Sequence, residues 1–140
     1  MAYPTVSAPY GLKPINLIGG QVYSGSTRHF PIASGYNTSI FNGDVVKLTT
    51  DGTLIKETGT TTANPVGVFV GCSYTSAVLG YKLFSQYYPA GTVASDIEAY
   101  VVDDPDALFK VAVVSSGTTI AGYGRTLVGN NVPLVQNAGD

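Results

Sequence analysis

From Phe30 onward the chain alternates short apolar runs with glycine, proline and asparagine turns, and no window of about a dozen residues carries apolar positions at helical spacing. Val46 and Leu48 fall on one face of a strand and Val45, Lys47 and Thr49 on the other. Asp51-Gly52 then supplies a hairpin turn and Leu54-Ile55-Lys56-Glu57 returns. Val66, Val68, Val70 and Cys72 alternate with Gly67, Phe69 and Gly71, a β-branched period of two that predicts a central strand. Leu79 to Tyr88 reads as one strand ended by Pro89-Ala90-Gly91, and Asp96 to Val102 as another, with Ile97, Ala99 and Val101 on one side. In Asp103-Asp104-Pro105-Asp106, Asp104 suits a helix N-cap and Pro105 a first helical position, which predicts a short helical turn. Strand character resumes from Leu108 to Val114, and Gly129-Asn130-Asn131 leads into a last short strand at Val132-Pro133-Leu134-Val135. The pattern predicts an all-β fold: a compact small β-barrel or β-sandwich of about seven to nine short strands.

Residues 1–29 follow a different rule. Pro4, Pro9 and Pro14 recur every five residues, and proline both removes a backbone donor and holds its predecessor extended. This predicts an extended N-terminal arm over 1–29 and a single β domain over 30–140. Leu12, Ile15, Leu17 and Ile18 are too apolar for a solvated tail, so the arm should lie on its own domain or on a neighbouring subunit. Gly19-Gly20 and Ser24-Gly25-Ser26 supply joints.

A chain of 140 residues fits one domain with a real core. Charged residues make up 11% of it, against roughly 25% in an average soluble protein, and 17 glycines and 10 tyrosines help fill their place. Such a surface costs little to desolvate against a partner. The net charge of -2 provides no field for collecting phosphates, which argues against a nucleic-acid partner. No apolar run approaches the roughly 20 residues of a membrane helix, and Met1 to Val6 lacks the features of a signal peptide, so a cytosolic site of synthesis and no membrane partner are expected. The single cysteine, Cys72, cannot form an internal disulfide, in keeping with that compartment.

Candidate chemistry is sparse. His29 is the one histidine, and a hydrolase would need it to pair with Ser24 or Ser26 and an aspartate, yet the chain contains no Gly-x-Ser-x-Gly elbow. His29 reads better as an interface or turn residue. With Cys72 it leaves a zinc site short of ligands. Asp103, Asp104 and Asp106, with Glu98, have the oxygen chemistry of a calcium site but not the spacing of an EF-hand loop, and they read better as a cap or as a patch facing a basic partner. Gly122-Tyr123-Gly124 fits no phosphate-binding pattern. Neither an enzyme nor a cofactor is expected. Tyr81, Phe84, Tyr87 and Tyr88 form a candidate aromatic platform for sugars or for a protein, with half of them going to the core by alternation.

The blocks Tyr10-Gly11-Leu12-Lys13-Pro14-Ile15-Asn16-Leu17-Ile18-Gly19-Gly20, Ser26-Thr27-Arg28, Phe41-Asn42-Gly43-Asp44-Val45-Val46 and Gly67 to Tyr74 resemble, in this order, small virion structural proteins of tailed phages of marine bacteria. The resemblance spans about Pro9 to Val114 and implies a capsid decoration, or cement, protein. Such a protein is assembled in the host cytoplasm and sits on the outside of an icosahedral capsid as a homotrimer, clamping neighbouring major capsid proteins. The implied capsid or oligomer interface is Tyr10, Leu12, Pro14, Ile15, Leu17, Ile18, Arg28, His29, Tyr87 and Tyr88. The alternative is a tail- or fibre-associated carbohydrate- or receptor-binding module that uses the tyrosines.

Overall fold

The computed structural model describes residues 11–58, 63–116, 119–120 and 124–134. The strands are β1 (Lys13–Leu17), β2 (Arg28–Pro31), β3 (Ile40–Phe41), β4 (Val45–Leu48), β5 (Leu54–Lys56), β6 (Gly67–Thr75), β7 (Lys82–Ser85), β8 (Tyr87–Tyr88), β9 (Glu98–Val102), β10 (Ala107–Lys110), β11 (Val114–Ser116) and β12 (Thr119–Ile120). One 3-10 turn, Arg125–Leu127, follows. The main sheet runs β2-β9-β6-β4-β5, with β7 pairing to β6 beside β4, and three two-stranded ribbons, β1-β10, β3-β8 and β11-β12, complete the pairings. Every pairing is antiparallel. The fold class is all-β as the pattern predicts. Its described sheets do not close into a barrel, and the strands are shorter and more numerous than seven to nine.

The β4-β5 hairpin forms where Asp51-Gly52 places it. Thr49 N–H donates to the Thr53 carbonyl at 2.9 Å, and Gly52 sits at φ 80°, where a Cβ would be strained. β6 is the central strand. Its one edge pairs with β9 alone, whereas its other edge is shared: Gly67 and Val68 pair with β4, and Cys72–Thr75 pair with β7. The turn after β3 bridges the gap, since Gly43 N–H donates to the Phe69 carbonyl and Phe69 N–H to the Asp44 carbonyl.

The strict period of two through β6 does not hold. Phe69 pairs with Val101 but Gly71 with Tyr100, so the strand bulges by one residue between them. That extra residue brings Phe69 and Cys72 onto one face, where they meet Val46, Leu54, Ala99 and Val101 in the core. Ile32, Ile40 and Tyr88, from the 32–41 connection and the β3-β8 ribbon, close this core from above. Val45, Val68 and Val102 are buried as well, outside this cluster.

Three further expectations change. The run Leu79–Tyr88 breaks at Gln86 into β7 and β8, which join different sheets. Asp103–Asp106 forms a tight turn rather than a helical one, because Asp104 Oδ1 accepts from Asp106 N–H at 2.9 Å and Ala107 already enters β10. Val132–Leu134 forms no strand, and Val135 lies outside the described residues. The division at residue 29 falls inside β2, which is the edge of the main sheet.

Candidate interaction surface

The part of the arm that is described lies on its own domain. β1 pairs with β10 in the register Lys13 to Lys110, Pro14 to Phe109, Asn16 to Leu108 and Leu17 to Ala107, with a bulge at Ile15. Pro14 brings no donor to this ladder, and Asn16 Oδ1 is buried without a partner. Leu12 helps line an apolar groove of about 260 Å3 with Val45, Pro65, Val66, Gly67, Val68, Phe109 and Leu134. Leu12, Pro14 and Leu17 are half-buried, while Ile15 and Ile18 are exposed. Tyr10 lies outside the described residues.

Two of the sequence blocks meet at the root of the arm. Leu12 N–H donates to the Gly43 carbonyl at 3.0 Å, and the Gly11 backbone touches Gly43 so closely that a Cβ on Gly11 would lie 2.6 Å from the Gly43 oxygen. Glycine at both positions is what lets the two backbones approach. Gly43 adopts φ 97°, in a turn that Asp44 fastens by accepting the Phe41 N–H at 2.9 Å.

Arg28 and His29 stand exposed on β2. Arg28 Nε is 3.1 Å from Asp103 Oδ2, so one member of the acidic cluster is an ion-pair partner and Asp104 is a turn former. His29 Nδ1 is 3.8 Å from Glu98 Oε2, and its ring lies edge-on to Tyr100, whose hydroxyl donates to Ser73 Oγ at 2.7 Å. Ser24 and Ser26 hydrogen-bond to one another at 3.3 Å. Among the described residues no group of three His, Cys, Asp or Glu side chains could hold a metal ion. Asp96 accepts both the Thr75 N–H and the Thr75 hydroxyl, which hold its carboxyl below the usual carboxylate range.

The aromatic set divides. Tyr88 is fully enclosed and its hydroxyl donates to the Tyr36 carbonyl at 2.9 Å, so it belongs to the core and is removed from the interface. Tyr87 is exposed and stacks on Phe41, with centroids 5.6 Å apart and planes 9° apart. Tyr81 and Phe84 are also exposed, Phe84 at 73%, and Lys82 Nζ sits 5.8 Å from the Phe84 ring centroid. Val78 and Leu79, in the β6-β7 turn, extend this apolar surface.

Two buried charges escape the hydrophobic pattern. Glu57, 1% exposed, lies 3.4 Å from Lys47 Nζ and accepts the Asn64 N–H, and buried Lys56 lies 3.5 Å from Asp44 Oδ2. The partners are brought together by strand pairing, and no local spacing signals them. Cys72 is likewise enclosed: burial pushes its thiol up to about 11, and its Sγ donates to the Tyr87 carbonyl. In the native protein at pH 8 a thiol reagent is expected to leave Cys72 unmodified and to react fully after urea is added. Rapid labelling of the native chain would show that this part of the core opens.

No protein-family model, curated protein or solved structure matches the chain.

Proposed function

We propose that this chain is a capsid decoration protein, which binds the outer surface of an icosahedral phage capsid and clamps neighbouring major capsid proteins. The observation that carries the reading is the distribution of exposed apolar residues. They occur on separate parts of the chain: Ile15, Ile18 and Val22 around β1, Val78, Leu79, Tyr81 and Phe84 around β7, and Val111, Val113, Val128 and Val132 toward the C-terminal end. A clamp needs more than one contact surface, and a chain with 11% charged residues loses little hydration when those surfaces are covered. The ordered resemblance to small virion proteins supports the same reading. Modest contacts suffice, because a homotrimer presents each surface three times and linked contacts raise affinity by roughly two to four orders of magnitude.

Purified protein added to capsids that lack it is expected to bind stoichiometrically and to raise their disruption temperature. Capsids that take up none, or whose disruption temperature does not move, would rule the reading out. The arm is tested by deleting residues 2–10, which is expected to weaken attachment while leaving the described fold intact. Deleting residues 2–20 would also remove β1 and empty Leu12 from its groove, confounding attachment with stability.

A second reading rests on the exposed rings of Tyr81, Phe84 and Tyr87: a tail- or fibre-associated module that binds carbohydrate or a receptor. Specific binding on a glycan array, lost in Phe84→Ala, would favour it over capsid binding.

A further inference from the structure

Residues 11–22 form a unit of their own. β1 turns through Gly19 and Gly20, at φ 95° and 84°, and comes back so that Asn16 bridges Val22, while Leu17 N–H donates to the Gln21 carbonyl. This hairpin is held by the β1-β10 ladder, by Ile18 N–H on the Asp106 carbonyl at 2.7 Å, by Leu12 N–H on the Gly43 carbonyl, and by Leu12 in the apolar groove. All of those partners lie beyond residue 40. The link between the hairpin and β2 is residues 23–27, in which Ser24, Gly25, Ser26 and Thr27 are exposed, Gly25 is at φ 84°, and Tyr23 and the two serines bond within the link itself.

We infer that residues 11–22 can be exchanged between copies, β1 of one chain pairing with β10 of the next and its Leu12 entering that chain's groove. The occupant is argued from the closed form: the groove and the β10 edge already fit this hairpin, so a second copy of it makes the same contacts in trans and only the link changes course. The link sets the geometry. Five residues reach about 17 Å when extended, so exchange joins copies that are immediate neighbours. The ladder is also easy to open, because Pro14 donates nothing, the bulge at Ile15 interrupts the register and Asn16 Oδ1 has no partner. A dilute chain closes on itself, and copies held side by side at high local concentration exchange. Exchange joins copies of this chain to one another and is independent of whether a capsid receives them.

The test uses the full chain with native Cys72 kept, since that thiol is buried. Lys13 and Lys110 are opposite each other on the ladder, a separation that suits a disulfide. Lys13→Cys and Lys110→Cys chains carrying tags of different size are co-expressed, concentrated and oxidised. The expected result is a covalent heterodimer as the main product, in excess over both homodimers. The Lys13→Cys/Lys110→Cys double variant, alone and dilute, is expected to form the disulfide within one chain, which verifies the register and the folding. If the double variant closes within one chain while the concentrated mixture gives no heterodimer, or gives heterodimer and homodimers equally, exchange does not occur.

Discussion

Phe69→Ala is expected to lower the unfolding free energy by about 3–5 kcal/mol, a loss comparable to much of the roughly 5–15 kcal/mol that holds a typical domain folded. Phe69 has no solvent exposure and shares the core with Cys72, Val46, Ala99 and Val101, so removing its ring leaves a hole among residues of β4, β6 and β9. The backbone at Phe69 is fixed as well, by its bonds to Gly43 and Asp44, which limits how far the hole can collapse. Urea unfolding followed by far-ultraviolet circular dichroism measures the loss. Phe84→Ala is the matched control: on the neighbouring β7 its ring is exposed, and the change should stay within about 0.5 kcal/mol. Equal losses at the two positions would contradict the bulge that turns Phe69 inward.

Asp44→Ala is expected to cost about 3 kcal/mol, because one carboxylate serves two partners, buried Lys56 and the part-buried Phe41 N–H. Its Oδ2 accepts the Phe41 N–H and stands 3.5 Å from Lys56 Nζ, a side chain enclosed at 7% exposure. Lys56 keeps further contacts, so the loss falls on both the ion pair and the turn. Asp44→Asn separates the two. The amide oxygen still fastens the Phe41–Asp44 turn and only the charge is gone, so Asn should recover a part of the loss that Ala incurs. Hydrogen exchange at the Leu12 amide reports on the arm root in the same samples. It is expected to speed up in Asp44→Ala and to stay protected in Asp44→Asn. Unchanged exchange in both variants would mean that the turn holds Gly43 without help from Asp44.

Some elements are legible in the sequence because the chemistry that forms them is local. Asp51-Gly52 flanked by apolar runs places the β4-β5 hairpin, and the β-branched run from Val66 places the central strand, since both signals act over a few residues. The bulge in β6 is hidden from the sequence for a physical reason. Both faces of that strand are covered, so Val68 and Phe69 are each apolar and a slip of one residue leaves no polar side chain on the wrong side. The same blindness affects Tyr88, which the break at Gln86 moves into another sheet and into the core. Lys56 and Glu57 read as the polar end of a strand, and their ion-pair partners Asp44 and Lys47 come from the segment against which β5 folds back. Of the proposed interface residues, Ile15, Ile18, Arg28, His29 and Tyr87 are exposed. The partner of β1 is not legible in the sequence: β10 is far away along the chain, and nothing local to Lys13–Leu17 points to it.

The turn after β3 also gives the molecule a direction in which it bears load. A pull on the chain at Gly11 divides between the β1-β10 ladder and the Leu12–Gly43 hydrogen bond, and the second branch continues through the Gly43–Phe69 bond to the middle strand of the main sheet. Edge strands peel one bond at a time, whereas a central strand is braced from both sides. Tension entering by the arm therefore reaches a braced strand as well as β10, and the two glycines that allow the backbones to touch are the first link of that branch.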